Sequence, residues 1–331
     1  MTARAKGRGS KKAPKKTAKK KELSSRTLRI GRYSVELSSL DRVLFPDSGV
    51  TKGELVEHYR RVADRMLPHL RGRPISMQRF PGGIHEEGFF QKSAPDYFPG
   101  WIARARVSKE GGTVEHVVCD NAATLVYLAN QGCITPHVWL SRIDRIDHPD
   151  RLIFDLDPSG EDFGAVRFAA GNVRALLEEI GLDPFPLATG GRGLHLVVPL
   201  DRGADFDTVR GFARDVAGVL AARHPDRLTV EVRKNKRRGR VFLDVLRNAY
   251  AQTAVPPYAV RARAGAPVAV PLAWDELSDP KIRGDTWSVR SLPARLEATA
   301  DPWAGLGRRG RSLSRPRQRL DRILEAERHR N

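Results

Sequence analysis

The sequence predicts a mixed α+β protein with two lobes. Apolar residues with helical spacing alternate with short runs of β-type residues, and a second series of such elements begins at Arg151. The 331 residues suffice for one large domain or two ordinary ones, and 40% of them are hydrophobic. We therefore expect sheets flanked by helices around a real core, without an internal repeat.

The net charge of +19 is concentrated at the two ends of the chain. Residues 1–29 contain 12 Lys and Arg against one acid, and residues 305–331 contain nine Arg against three acids. The part between them keeps a charge of only about +2. This distribution predicts a disordered Lys-rich tail over 1–29, one folded body over 30–304 and an Arg-rich C-terminal tail over 305–331. Such tails bind polyanions such as nucleic acid, or only aid solubility.

Composition also excludes several classes of protein. No apolar run reaches the length of a membrane span, and the N-terminus lacks the apolar segment of a secretory signal. Cys119 and Cys133 do not form a CxxC pattern, so a zinc knuckle is not supported, and both are expected to be buried thiols. We expect a cytoplasmic protein that has no contact with membranes.

The first half begins with a strand at residues 33–37, followed by a helix. Thr51 and Glu54 have the spacing of a capping box, and apolar residues at Leu55, Tyr59 and Val62 share one side of a helix that reaches about Met66. Further strands are expected near 75–80, 88–92, 101–107, 114–119 and 134–140, with a helix over about 122–130.

The second half repeats this mixture of strands and helices. A helix over about 163–180 should end at Gly181, because glycine readily takes the left-handed conformation at a helix C-terminus. The segment after residue 245 is rich in proline and less regular. Strands are expected near 151–156, 186–189, 194–199, 228–232 and 240–245, and another helix over about 206–223.

Two carboxylates on the strand Ile153–Pro158 are the most informative feature. Alternation along a strand places Asp155 and Asp157 on the same face, where they repel each other unless a cation lies between them. Hard oxygen ligands suit Mg²⁺ or Mn²⁺. Asp244, at the end of another apolar strand, is a candidate third ligand, and the run 233–240 before it contains six basic residues. A metal site for phosphate chemistry is predicted, although each Asp alone is also compatible with a strand-end cap.

A glycine-rich turn at residues 188–195 joins two of the predicted strands. Its glycines allow close approach to an anion, and Thr189, Arg192 and His195 can contact phosphate oxygens. The spacing differs from that of a P-loop. An ordinary turn with an exposed arginine remains the alternative.

Several separated motifs together resemble one family. They are FDLDP, TGGRGLH, FLDVLRNAYAQTAVPPYAVRA, LDRVLFPDSGVTKGEL, PISMQRFPGG, GFFQK and GCITPHVWLSR. Together they resemble the polymerase domain of bacterial ligase D, a member of the archaeo-eukaryotic primase superfamily, over about residues 33–300. The resemblance implies a two-lobed primase-polymerase fold with a mixed or antiparallel catalytic sheet flanked by helices.

The resemblance also implies a set of site residues. Asp155, Asp157 and Asp244 would be the catalytic, metal-binding carboxylates, with Mn²⁺ or Mg²⁺ as cofactor. The nucleotide and its triphosphate would contact Thr189, Arg192, His195, Arg247 and Arg261, with His137 near the sugar. The 5′-phosphate and the DNA would contact Arg42, Lys52, Arg79, Phe89 and Phe90, although core packing is the alternative for the two phenylalanines.

The activity implied is template-directed, metal-dependent addition of NTP or dNTP to the 3′-hydroxyl of DNA ends or gaps, in non-homologous end joining. Its partners would be DNA with recessed or gapped 5′-phosphorylated ends, with Ku and a separate DNA ligase as further candidates, and it would be associated with the nucleoid. The sequence lacks a KxDG ligase motif, which favours a polymerase that stands alone. Ser39, Arg42, Thr189 and Arg192 depart from the residues common in the family, which affects fine specificity.

Three other functions remain open from the sequence. A haloacid-dehalogenase-type phosphatase has an FDLDGT motif similar to residues 154–159, and it would require a doubly wound sheet. A basic scaffold would bind DNA ends without catalysis. A primase would start chains without a primer, although the missing Cys/His zinc cluster argues against it.

Overall fold

The computed structural model describes residues 1–2, 26–109 and 111–329. The predicted disordered tail over 1–29 lies mostly outside this range. The first strand of the described residues starts at Arg26, a few residues before the predicted body.

The first four α-helices match or extend the predicted ones, and two more follow them. The capping box is present: Thr51 Oγ1 accepts from the Glu54 amide, and the Glu54 carboxylate accepts from the Thr51 amide. The first helix continues past Met66 and through Pro68, and Gly181 caps the third helix in the left-handed conformation. The helices are α1 (Lys52–Leu70), α2 (Ala122–Asn130), α3 (Phe163–Ile180), α4 (Phe206–Arg223), α5 (Leu292–Ala298) and α6 (Ser314–Arg328).

Eighteen short strands are described. Most predicted strands are present within two or three residues of their expected bounds, but the strand predicted over 228–232 has only two residues. The strands are β1 (Arg26–Ile30), β2 (Tyr33–Leu37), β3 (Val43–Phe45), β4 (Val50–Thr51), β5 (Pro74–Arg79), β6 (Phe89–Gln91), β7 (Arg104–Lys109), β8 (Gly112–Val118), β9 (Cys133–Trp139), β10 (Ser141–Arg142), β11 (Arg145–Pro149), β12 (Arg151–Asp157), β13 (Phe185–Ala188), β14 (Leu194–Pro199), β15 (Leu228–Thr229), β16 (Val241–Asp244), β17 (Thr253–Ala254) and β18 (Val270–Pro271).

The carboxylate sheet has the strand order β15-β16-β12-β14-β13-β18. All of its pairings are antiparallel except that between β15 and β16. Leu152, Phe154 and Leu156 point to one face, where α3 and α4 pack, and Asp155 and Asp157 point to the other. This antiparallel order rules out the doubly wound sheet that a haloacid-dehalogenase-type phosphatase requires.

A second sheet belongs mainly to the first half of the chain. Its order is β17-β9-β5-β8-β7, and β6 pairs with β5. Strand β17 comes from the second half, so the chain returns to this sheet after most of the carboxylate sheet is formed. This return is fixed by hydrogen bonds such as that from Thr135 Oγ1 to the Val260 carbonyl, at 2.6 Å. The fold is mixed α+β, as predicted.

The C-terminal segment is folded where the sequence predicts a tail. Helix α6 packs on α3 and α4 and buries Pro316 and Leu320, with Leu313 buried just before it. These apolar residues recur at helical spacing, but the many arginines around them hide the pattern when charge alone is considered. In the part of the chain described, none of the helices is long and apolar enough to cross a membrane.

Candidate active site

Asp155 and Asp244 lie directly opposite each other on adjacent strands. They are paired in the register of β12 and β16, and Asp157 follows two residues later on the same face. Directly paired residues of antiparallel strands have side chains about 4.5–5.5 Å apart at Cβ. The three carboxylates predicted from the sequence are therefore brought into one cluster.

Basic groups surround Asp155. His195 Nε2 lies 3.5 Å and Arg247 Nε 3.7 Å from its Oδ2. Burial alone would raise the pKa of Asp155, but His195, Arg247 and Arg261 outweigh it and hold the pKa below its usual value. Asp155 is therefore a carboxylate at neutral pH.

Asp244 has the opposite balance. Burial and the charges of Asp155 and Asp157 raise its pKa above the usual value, although the Leu246 amide donates a hydrogen bond to its Oδ1 at 2.7 Å. The cluster thus contains negative charge that the protein does not fully neutralise. A cation would remove this repulsion.

The third carboxylate, Asp157, forms an ion pair with Arg237. Arg237 Nη1 donates to Asp157 Oδ2 at 2.7 Å, and the same guanidinium donates to the main-chain carbonyls of Glu231 and Val232. Consistent with this, no group of three His, Cys, Asp or Glu side chains is arranged as a metal site within the described residues. The donor set nevertheless fits a divalent cation, because it consists of hard carboxylate oxygens with residual repulsion. Asp157 would have to exchange Arg237 for the metal.

The glycine-rich turn packs tightly beside the carboxylates. A side chain at Gly193 would place its Cβ 2.5 Å from the Leu156 carbonyl, and one at Gly284 would overlap the main chain of the turn. Thr189 Oγ1 donates to the Gly193 carbonyl at 2.9 Å, so its hydroxyl fixes the turn. Arg192, at the tip, pairs with the exposed Glu161 at 3.3 Å. Close packing at Gly193 and Gly284 and the hydrogen bond of Thr189 thus hold this turn in place, which an ordinary exposed turn does not require.

The pocket over the carboxylates has a volume of about 250 Å³ and a basic wall. Arg261 donates to the Thr189 carbonyl at 2.6 Å, and burial together with Arg263 lowers its pKa to about 10, so it stays charged at neutral pH. His137 also lines the pocket, and its Nε2 is buried without a partner among the described residues. Burial and the charges of Arg261 and Arg247 lower the pKa of His137 to about 3, so it is neutral.

A second basic group lies at the C-terminal end of α2. Lys52 Nζ donates to the Asn130 carbonyl at 3.1 Å and Arg79 Nε to the Gln131 carbonyl at 3.0 Å. Arg42 donates to the Pro81 carbonyl at 2.7 Å, and its charge acts on Lys52. We call Arg42, Lys52 and Arg79 the α2-end basic group. The structure places together the three residues predicted to contact a 5′-phosphate.

Phe89 and Phe90 are both exposed on the short strand β6, so core packing does not explain either. Strand β6 pairs only with β5 within the described chain, and it leaves both rings uncovered. Phe90 lies 5.4 Å from His137, centroid to centroid, and Arg79 lies over the Phe89 ring at 5.6 Å. The two rings therefore face different basic regions, the pocket and the α2-end basic group.

Sequence reasoning missed three charged residues of the site. Lys234 and Arg263 line the pocket, and Arg237 holds Asp157. Lys234 and Arg237 are hidden inside the basic run 233–240, where no position stands out. Arg263 could have been found from its spacing, because Arg261 and Arg263 alternate in the segment after β17.

Comparison with known proteins places this geometry in a family. The family model for the LigD primase-polymerase domain matches residues 51–303. The multifunctional non-homologous end joining protein LigD of Mycolicibacterium smegmatis is 36% identical over 75% of this chain and 33% of its own length. The LigD protein of Pseudomonas aeruginosa is 36% identical over 91% of this chain and 36% of its own length. The chain thus spans about a third of the length of these relatives.

A solved structure agrees with the sequence comparison. The polymerase domain of Mycobacterium tuberculosis ligase D, in complex with DNA, is 34% identical to this chain and superimposes with a TM-score of 0.79. The match covers 83% of this chain and 99% of the other. On the family model, the relatives and the fold, this chain belongs to the LigD primase-polymerase domain family.

Proposed function

We propose that this chain is a metal-dependent nucleotidyltransferase that adds nucleotides to the 3′-hydroxyl of DNA ends or gaps in non-homologous end joining. The observation that carries the proposal is the cross-strand pair Asp155 and Asp244, with Asp157 beside it, in a pocket with basic walls. The names of the relatives, and the DNA bound to the related polymerase domain, support the same function.

The proposed substrates are NTP or dNTP and DNA with recessed or gapped 5′-phosphorylated ends. Five Lys and Arg side chains line the pocket against three acids, which suits a triphosphate. The α2-end basic group suits the 5′-phosphate across the gap. Ku and a separate DNA ligase are the proposed protein partners, and the nucleoid in the cytoplasm is the proposed location.

In the proposed reaction the 3′-oxygen forms a bond to the α-phosphorus, the bond to the bridging oxygen breaks, and pyrophosphate leaves. The proton of the hydroxyl passes to solvent. Asp155, Asp157 and Asp244 would hold Mn²⁺ or Mg²⁺, which would supply charge neutralisation for the reacting groups.

The chain's own residues provide position and charge. His195 and Arg247 orient Asp155, and Arg261 and Arg263 lie where a triphosphate would enter. His137 is neutral, and its Nε2, which has no partner among the described residues, would contact a sugar hydroxyl without adding charge. This division follows the general pattern of phosphoryl transfer, in which the protein contributes mainly placement and electrostatics.

Primer extension on gapped DNA tests the proposal. Wild type should extend a primer with Mn²⁺ or Mg²⁺, more strongly with a 5′-phosphate across the gap, and a comparison of NTP with dNTP gives the sugar preference. Asp155→Asn should lower extension by about 10²–10³-fold or more, the scale of losing one preorganised electrostatic group. Asp144→Asn is the matched control, because Asp144 is an exposed acid whose partner is Arg202.

The alternatives give different results in the same assay. Binding of 5′-phosphorylated ends without extension by wild type would support the scaffold. Synthesis on single-stranded template without a primer would support a primase. Extension that survives Asp155→Asn would refute the catalytic assignment.

A further inference from the structure

Six arginines form an exposed surface on the C-terminal segment. None of them has a carboxylate within 4 Å anywhere in the described chain, and all are solvent-exposed. All the basic residues after position 304, apart from His329, are arginine, the side chain best shaped for phosphate oxygens. We call these six residues the Arg surface: Arg308, Arg309, Arg311, Arg315, Arg319 and Arg322.

The acids of α6 do not neutralise this surface. Asp321 pairs with Arg317 of the same helix, and Glu327 pairs with Arg223 of α4 at 2.7 Å. Arg317 also reaches Asp215 of α4. The ion pairs therefore lie on the side that packs on α4. The exposed Glu325 lowers the charge of the other side by one.

The loop before α6 and the helix itself each bring an arginine of the Arg surface to the same part of the fold. Arg309 lies over the ring of Phe185 at 5.4 Å, and the guanidinium of Arg319 lies beside Gly181. Gly181 and Phe185 bound the short connection between α3 and β13. Two arginines from different parts of the segment thus flank one connection, which holds them in a fixed relation.

The spacing on α6 suits a row of phosphates. Arg315, Arg319 and Arg322 lie four and three residues apart, on one side of the helix and within about 10 Å along its axis, at about 1.5 Å per residue. Like charges at this spacing destabilise a helix unless an anion lies against them. The phosphates of one DNA strand follow each other at about 3.4 Å of rise, so a backbone offers several within this length.

The Arg surface and the pocket lie on opposite sides of the carboxylate sheet. Asp155 and Asp157 point away from the face on which α3 and α4 pack, and α6 packs on those two helices. A duplex whose end lies in the pocket therefore leaves the Arg surface free for another segment of nucleic acid.

We propose that the Arg surface binds the backbone of a second, separate segment of duplex DNA while the pocket holds a DNA end. The inference rests on the proposed function, since a protein that extends DNA ends in its pocket has DNA as the polyanion nearest to the Arg surface. It extends that function, because one molecule would then link a DNA end to a neighbouring duplex without reading its sequence.

Binding to covalently closed circular DNA tests the surface apart from catalysis, because such DNA has no end to occupy the pocket. In the full chain, Arg315→Gln/Arg319→Gln/Arg322→Gln should reduce the slope of log K against log salt by about 0.9 for each phosphate that is no longer neutralised, or roughly two to three units. The matched control removes the same charge from exposed arginines elsewhere that likewise have no carboxylate within 4 Å in the described chain: Arg29→Gln/Arg71→Gln/Arg145→Gln.

The salt dependence of the two triple variants supports or overturns the proposal that the Arg surface binds DNA. A reduction in slope that is larger in the α6 triple variant than in the control, with unchanged circular dichroism, supports the proposal. Equal effects in the two triple variants would overturn it, because general charge would then explain the binding. Unchanged DNA binding together with weaker binding to anionic vesicles would overturn it in favour of a membrane surface.

A bridging assay tests the placement on opposite sides. A biotinylated gapped hairpin, held with wild-type protein on streptavidin beads, should retain labelled circular DNA, and the α6 triple variant should retain severalfold less circle while binding the hairpin equally. If the hairpin competes with the circle for one site, the two-segment proposal fails. Primer extension is measured separately, so failure of the proposed polymerase activity would be seen independently of this result.

Discussion

The basic side chains of the pocket and those of the α2-end basic group have opposite kinds of partner, charged in the first and neutral in the second. In the pocket, bases and acids contact each other before any substrate is present: Asp155 lies beside His195 and Arg247, and Asp157 is held by Arg237. In the α2-end basic group, by contrast, neutral oxygens accept the hydrogen bonds: the main-chain carbonyls of Asn130, Gln131 and Pro81, the Oε1 of Gln91 and the hydroxyl of Tyr97. Within the described residues, no carboxylate lies within 4 Å of Arg42, Lys52 or Arg79.

We interpret this difference as a division of roles, in which the pocket is suited to catalysis and the α2-end basic group to recognition of a phosphate. Carbonyl acceptors orient a basic side chain without cancelling its charge, so the α2-end basic group is ready for a phosphate. On the proposed function, the side chains of the pocket would have to exchange partners to bind a metal and a nucleotide, because its acids and bases already neutralise one another in part. Substitutions in the pocket should therefore change activity and stability together, whereas those in the basic group should change mainly DNA binding.

The largest effect is expected from Asp244→Asn. Extension should fall by about 10²–10³-fold or more, since one of the three proposed metal ligands is lost. The folded protein without metal should become more stable, by on the order of 1 kcal/mol, because Asn removes repulsion from Asp155 and Asp157 while still accepting the Leu246 hydrogen bond. Thermal unfolding in a chelating buffer measures the second effect.

Asp244→Ala is the control for this prediction. It is equally unable to bind metal, but it also loses the hydrogen bond from Leu246, so its gain in stability should be smaller or absent. If Asp244→Asn unfolds at a lower temperature than wild type, the carboxylate cluster is not under repulsion and the argument for a metal is weakened.

A smaller effect is expected from Arg237→Gln. The substitution frees Asp157 from its ion pair, so Mn²⁺ alone should bind roughly tenfold more tightly, or ~1.4 kcal/mol. Electron paramagnetic resonance of free Mn²⁺ measures this without any reaction. Arg238→Gln removes the same charge from the next residue, which is exposed and has no carboxylate within 4 Å in the described chain, and it should leave the affinity nearly unchanged.

The comparison of Arg237→Gln with Arg238→Gln shows how the basic run opposes metal binding. Equal gains in Mn²⁺ affinity would show that the general field of the run 233–240 opposes the metal. A gain confined to Arg237→Gln would assign the effect to its contact with Asp157.

The sequence predicts well the parts of this molecule whose pattern is local. The capping box at Thr51, the left-handed cap at Gly181 and the bounds of α3 and α4 each follow from a few neighbouring residues. Strand alternation alone places Asp155 and Asp157 on one face. Their pairing with Asp244 is only a hypothesis at that level, because strand register across the sheet is set by tertiary packing that no local pattern records.

The features that the sequence does not predict depend on partners distant in the chain. Arg237 and Asp157 are 80 residues apart, and nothing near either residue indicates the contact. Charge alone predicts a tail where helix α6 lies, because the apolar stripe of the helix is narrow and the surfaces of α3 and α4 on which it packs are distant in the sequence. For Phe89 and Phe90 the sequence leaves core packing open as the alternative to DNA contact, and the structure exposes both rings on β6, which has a neighbour on one side only in the described structure.

The smallest predicted effect concerns pH and the α2-end basic group. Burial and the charge of Arg42 lower the pKa of Lys52 to about 8, whereas a 5′-phosphate stays largely doubly charged above about pH 7. Lys52 is therefore mostly charged below this pKa and mostly neutral above it, and phosphate binding favours the charged form. The preference of the protein for 5′-phosphate over 5′-hydroxyl gapped DNA should be nearly constant up to about pH 7 and should fall by roughly three- to tenfold by about pH 9.

Fluorescence anisotropy with the two DNAs, between about pH 6.5 and about pH 9, measures this preference without extension. Lys52→Arg should keep a constant preference over the whole range, because arginine remains charged, and Lys52→Met should show little preference at any pH. A wild-type preference that does not change over this range would mean that the phosphate is recognised by the guanidinium groups of Arg42 and Arg79. The α2-end basic group would then act through two charges, with Lys52 holding the end of α2 in place through Asn130.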